Sequence, residues 1–100
     1  MKKVSLKKAI ELVFPNATDI KITKGYYECS GFFNVGEQVY YITSPDVRYW
    51  DINSLFLGMM YRTAKDRHDY TGGTNQWDFN EKLQRLGYEL SDVPHKTASW

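Results

Sequence analysis

Apolar residues fall at Leu6, Ala9, Ile10, Val13 and Phe14, a spacing that stacks all five on one face of a helix. Ser5 offers a hydroxyl as N-cap, and Pro15 closes the helix because the residue before a proline is pushed out of the helical region. A first helix over 5–14 follows, with Lys2, Lys3, Lys7, Lys8 and Glu11 off its apolar face. Beyond Asn16 the period shortens to two. Ile20 and Ile22 alternate with Asp19, Lys21 and Thr23 before the turn signal Lys24-Gly25, which predicts a strand over 19–23. The aromatic-rich run from Tyr26 to Phe33 and the run from Gln38 to Thr43 predict two more strands joined by a tight loop at 34–37. Ser44-Pro45-Asp46 ends the third.

Helical spacing returns at Ile52, Leu55, Phe56, Met59, Met60 and Ala64, with Asp51 or Asn53 as cap, so a second helix is expected to run to about Arg67. Arg62/Asp66 and Lys65/Asp69 then stand four apart on its solvated side, pairs worth about 0.2–0.5 kcal/mol each at most. Gly72-Gly73 breaks the pattern. A third helix is expected from Asn75, with Phe79, Leu83, Leu86 and Leu90 on its apolar face and Asp78 at its positive end. Gly87 suits the left-handed position that stops a helix, with Tyr88 folding back against it. Residues 91–100 show no periodicity and are expected to be loosely held unless Trp100 docks.

These elements make an α+β fold: a small antiparallel three-stranded sheet packed with helices, in the order α-β-β-β-α-α, forming one domain over 1–90 with a tail over 91–100. Three strands followed by a helix is an order shared in outline with double-stranded-RNA-binding domains and the small sheet domains of some integrases. A double-stranded-RNA reader would place lysines at the start of that helix, where this chain has Asp51-Ile52-Asn53-Ser54. The outline therefore carries no function with it.

Composition narrows the class. One hundred residues leave room for one core, and 42% hydrophobic content with a net charge of +1 lies outside the disordered range. A lone Cys29 forms no intramolecular disulfide, and the charged start has no apolar stretch behind it, so a cytoplasmic protein without a membrane span is expected.

Position tells more than totals. The aromatics come as adjacent pairs, Tyr26-Tyr27, Phe32-Phe33, Tyr40-Tyr41 and Tyr49-Trp50. Neighbours in a strand point to opposite faces, so each strand pair sends one ring to the helix side and one to the other. A sheet with rings on both faces packs against something or offers a platform. Tyr, Trp, Phe and Arg are the residue types enriched at protein interfaces. The expected partner-binding residues are Tyr26, Tyr27, Phe32, Tyr40, Tyr41, Tyr49 and Trp50, rimmed by Arg62, Arg67, His68 and Tyr70.

Charge supports an alternative. Residues 1–25 hold six lysines against two carboxylates and the remainder seven basic against ten acidic residues, so the basic end carries +4 and the rest −3. Lys2, Lys3, Lys7, Lys8, Lys21 and Lys24 are the expected phosphate contacts of a nucleic-acid-binding module, with exposed rings stacking on bases. A sequence pI near 7.8 is low for that class.

The stretch from Arg62 to Asn75 places Arg67 and His68 beside Gly72-Gly73 at an expected helix start, an arrangement suited to an anion, but it lacks the spacing of a phosphate loop or a dinucleotide fold. His68 lies near Asp66 and Asp69 with no Ser or Cys placed as its nucleophile, Cys29 lies in an expected strand, and His95 lies in the tail. Neither catalysis nor a metal or other cofactor is expected. The leading expectation is a non-catalytic domain that acts by stoichiometric association with a protein partner or a second copy of itself. Small motif-free binders of this kind are common among phage and mobile-element accessory proteins, including inhibitors of host enzymes.

Overall fold

Ser5 begins the first helix as its sequence requires: extended backbone at φ −67° and ψ 161° lets its Oγ accept the Lys8 N–H at 3.2 Å. Helix α1 (Leu6–Val13) buries Leu6, Ala9 and Ile10, and stops before Pro15 with the Phe14 N–H donating to Ile10 O. The computed structural model describes residues 2–24, 29–44, 59–69 and 72–91. Tyr26, Tyr27, Tyr49, Trp50 and Tyr70, the first part of the expected second helix through residue 58 and the tail beyond Ser91 lie outside them.

The described elements run β1 (Lys2–Val4), α1, β2 (Ala17–Lys24), β3 (Cys29–Val35), β4 (Gln38–Thr43), β5 (Met60–Ala64), α2 (Phe79–Arg85) and β6 (Tyr88–Leu90). The α+β class holds, but the sheet has four strands in the order β2-β3-β4-β5, all antiparallel. A separate parallel pair joins β1 to β6. The β3–β4 hairpin turns at Gly36, whose φ of 61° is open to glycine at little cost.

Three expectations are corrected. The end of the expected second helix is strand β5: Met60 and Ala64 fit helical spacing, yet Met60, Arg62 and Ala64 are buried on one strand face and Tyr61 on the other, which erases the two-residue alternation. The third helix starts at Phe79 instead of Asn75, because Gln76 spends its N–H and C=O on the Tyr61 backbone at 2.8 and 3.0 Å and so extends the sheet beyond β5. Leu86 is 51% exposed, since the helix ends at Arg85 and turns through Gly87 at φ 91°. Gly87 thus stops the helix as expected, while Tyr88 opens a strand.

The core lies between the helices and one sheet face, joining Leu6, Ala9 and Ile10 to Phe33, Ile42, Tyr61, Phe79 and Leu83. Phe14 is its hub: the ring lies 5.2 Å from Phe33, 5.4 Å from Tyr61 and 5.6 Å from Tyr40. No helix among the described residues is long and apolar enough to cross a membrane.

Candidate functional site

Strand register divides the paired aromatics. Phe33 stands opposite Tyr40 on the helix-covered face, where the rings stack at 5.4 Å. Phe32 stands opposite Tyr41 on the other face, with centroids 5.1 Å apart. The row extends to both edges, because Lys21 pairs with Phe32 and Arg62 with Tyr41. Directly opposed residues of antiparallel strands share a face. The second face therefore carries Lys21, Phe32, Tyr41 and Arg62 across four strands. Phe32 and Tyr41 are half-buried, and both described helices pack on the opposite face. Tyr40, expected at a partner surface, belongs to the core side.

Arg62 is not on a solvated helix flank. It is 3% exposed, with its guanidinium carbon 4.6 Å from the Tyr41 ring centroid. Both terminal nitrogens approach the Asp69 carbonyl at 3.5 Å.

After β5 the chain turns back over this face. Arg67 reaches from the β5 side of the sheet to its far edge, donating from Nη2 to Asp19 O and Asn34 Oδ1 at 2.6 Å each, and from Nη1 to Phe32 O at 3.4 Å. These acceptors gather at the point where the β2–β3 register shifts, between Thr18 and Lys21. Asp19 there has φ 52°, a left-handed conformation that Asp tolerates better than most residues. The irregularity turns carbonyls away from the ladder, and the guanidinium supplies their donors. Residues 65–69 thus form a strap, pinned at its middle by Arg67. The Asp69 carboxylate draws its two ends together and holds the chain beyond, accepting the Lys65 and Gly72 N–H groups at 2.9 Å each.

In the Gly72-Gly73 loop the Gly72 amide is bonded to that carboxylate, and no helix begins among the described residues there. Gly73, at φ 76°, lies so close to Thr63 that a Cβ would fall 2.4 Å from its carbonyl oxygen. His68 is exposed, its N–H donating to Asp66 Oδ1. Cys29 is buried, and its N–H donates to the Ser44 hydroxyl at 2.9 Å.

The basic residues are partly assembled. Lys7, Lys8 and Lys21 border one open groove of about 690 Å³ between α1 and β2, together with Glu11 and Asp19. Lys2 and Lys3 are exposed on β1, and Lys24 closes β2.

Sequence reasoning missed one polar cluster. The Tyr61 hydroxyl donates to Asp78 Oδ1 at 2.7 Å, and Lys82 Nζ donates to the Tyr61 oxygen at 3.1 Å while standing 3.4 Å from Asp78 Oδ2. Burial and the Asp78 hydrogen bond push the Tyr61 hydroxyl above its ordinary range. The hydroxyl in turn holds the Asp78 carboxyl low, and its bond to Lys82 raises that ammonium. The only sequence signal was the Asp78/Lys82 spacing of four. The cluster ties β5 to α2. Beside it Trp77 is 39% exposed. Among the described residues no three metal-ligating side chains come together.

Comparison with protein-family models, curated proteins and solved structures finds no match for this chain.

Proposed function

We propose that this is a small non-catalytic binding domain that acts by stoichiometric association with a protein partner or a second copy of itself, in the manner of accessory proteins that inhibit host enzymes. The observation that carries the reading is the half-buried Phe32–Tyr41 pair, flanked by Arg62, on the sheet face opposite both described helices. Aromatic rings and arginine are the side chains that dominate interface hot spots, and a purely solvated face would alternate to charge or Ser/Thr. Light scattering over about 1–100 µM, together with capture from the source lysate, tests it. Tyr41→Ala and Phe32→Ala, with unchanged circular dichroism, are expected to weaken the complex about tenfold or more. A strict monomer whose captured proteins are the same for wild type and both variants overturns the reading.

The groove bordered by Lys7, Lys8 and Lys21 favours a second reading, a nucleic-acid-binding module. Oligonucleotide binding that falls steeply with salt, and again in Lys7→Glu/Lys8→Glu, would favour it over a protein partner. No binding to single or double strands at about 50 mM salt sinks it.

A further inference from the structure

The two arginines of the second face are served in the reverse of the order that stability alone predicts. Arg67, the more exposed, has three acceptors. Arg62, at 3% exposure, has one carbonyl at 3.5 Å and one aromatic ring. A guanidinium carries five N–H donors, and a sound N–H···O bond is about 2.9–3.0 Å long. Among the described residues no carboxylate pairs with Arg62, and its Nε–H has no acceptor. Buried charges are ordinarily paired, because removing an ion from water costs several kcal/mol.

We infer that Arg62 is the receptor for a carboxylate on the partner, admitted beneath the 65–69 strap; the inference rests on the protein-partner reading. Charge selects the carboxylate: one guanidinium neutralises one carboxylate, whereas a phosphate would leave excess negative charge beside the Tyr41 ring. Shape agrees, since the planar fork matches two carboxylate oxygens. The group that must yield is the Asp69 carbonyl, which the guanidinium meets at 3.5 Å, the limit of hydrogen bonding. Arg67 keeps the strap anchored at Asp19 and Asn34 while it does so.

Thermal unfolding of the full chain in acetate, phosphate or chloride at equal ionic strength provides the first test. Acetate at about 100 mM is expected to raise the wild-type midpoint about 5 °C over chloride, with a smaller rise in phosphate. Arg62→Met is expected to lose the acetate response and to melt in chloride no lower than wild type, because an unserved charge gives way to an apolar side chain. Arg62→Lys, which keeps the charge without the fork, is expected to lose most of the response and remains informative if the methionine variant does not fold. Equal acetate shifts in wild type and Arg62→Met overturn the inference. So does a large loss of stability in Arg62→Met without any wild-type acetate response, which would place the neutralising group within the chain.

The source of the carboxylate is read with a blocked Gly-Tyr-Glu-Tyr-Gly peptide. Binding at least tenfold tighter than acetate supports a polypeptide partner, and equal affinity overturns it. Association that persists undiminished in Arg62→Met defeats the Arg62 receptor and spares the partner reading, whereas absent association defeats the partner reading even if acetate still stabilises the chain.

Discussion

Replacing Arg67 with methionine keeps the aliphatic stem and removes the three bonds that carry the strap across the sheet. Two of them, to Asp19 O and Asn34 Oδ1, are 2.6 Å long, and the third, to Phe32 O, is 3.4 Å and counts for little. Hydrogen bonds involving a charged group contribute about 1.5–3 kcal/mol each, so the two short ones amount to roughly 3–6 kcal/mol. Solvent reaches the Asp19 bond, and fixing an arginine costs up to about 2 kcal/mol of rotamer entropy. The expected net loss is about 2 kcal/mol. For a chain of this size that lowers the melting midpoint by about 8–16 °C, or the urea midpoint by about 1–2 M with an unchanged slope. Arg67→Lys should recover less than half, because an ammonium cannot span the same acceptors. A double-mutant cycle with Asn34→Ala should give a coupling of about 1 kcal/mol. Hydrogen exchange should speed up in 65–69 and near 18–21 while α1 keeps its protection. If Arg67→Met unfolds within about 0.5 kcal/mol of wild type, Arg67 does not hold the strap and the account of the bulge fails.

Gly31→Ala places a Cβ 2.4 Å from Lys21 O and 2.6 Å from Ile22 Cδ1, so β2 must move away from β3; denaturant titration should show a loss of about 1–3 kcal/mol. Ser44→Ala leaves the Cys29 N–H without its hydroxyl acceptor in a buried position, and the same measurement should show a loss of about 1–3 kcal/mol. The Asp78 carboxyl is held low by the Tyr61 hydroxyl, so its contribution is present above its ordinary value of 3.8 and disappears as pH falls through the folded value. Tyr61 is raised from 10.0 and Lys82 from 10.5, so their contributions are complete below those values and disappear as pH rises through the folded ones. The stability gap between wild type and Tyr61→Phe should therefore be widest between about pH 4 and 10 and narrow on both sides. A gap that does not vary with pH would mean that the three groups do not act together.

The elements legible in the sequence are those governed by neighbours. Helix α1, its Ser5 cap, its stop at Pro15 and the β3–β4 hairpin depend on local spacing and backbone chemistry, and so does the role of Gly87. Strand β5 was hidden because periodicity measures contrast between faces, and Met60, Tyr61, Arg62 and Ala64 are all buried. Arg62 looked like a solvated charge, since nothing local announces that the Tyr41 ring, opposite it on the neighbouring strand, will lie against it. The split of Phe32 from Phe33 and of Tyr40 from Tyr41 followed from strand geometry alone. The strap did not: Arg67 finds acceptors over thirty residues away, at an irregularity whose only trace is an Asp able to take a positive φ. Strands β1 and β6, three residues each, show no pattern long enough to register.

That last pairing sets an order of events. Lys2 aligns with Tyr88 and Val4 with Leu90, and Ser91 adds an N–H to Val4 O at 2.9 Å, so the two strands meet across more than eighty residues of chain. Closing so long a loop is entropically unfavourable until the intervening hairpin and helices have drawn the ends together. During synthesis, β1 precedes every other described strand and waits for nearly the whole described chain before its partner exists. A chain broken off short of Tyr88 lacks the strand that β1 pairs with here. The earliest of the described strands is thus the last of them to find its partner, and its pairing records that the chain has been made through β6.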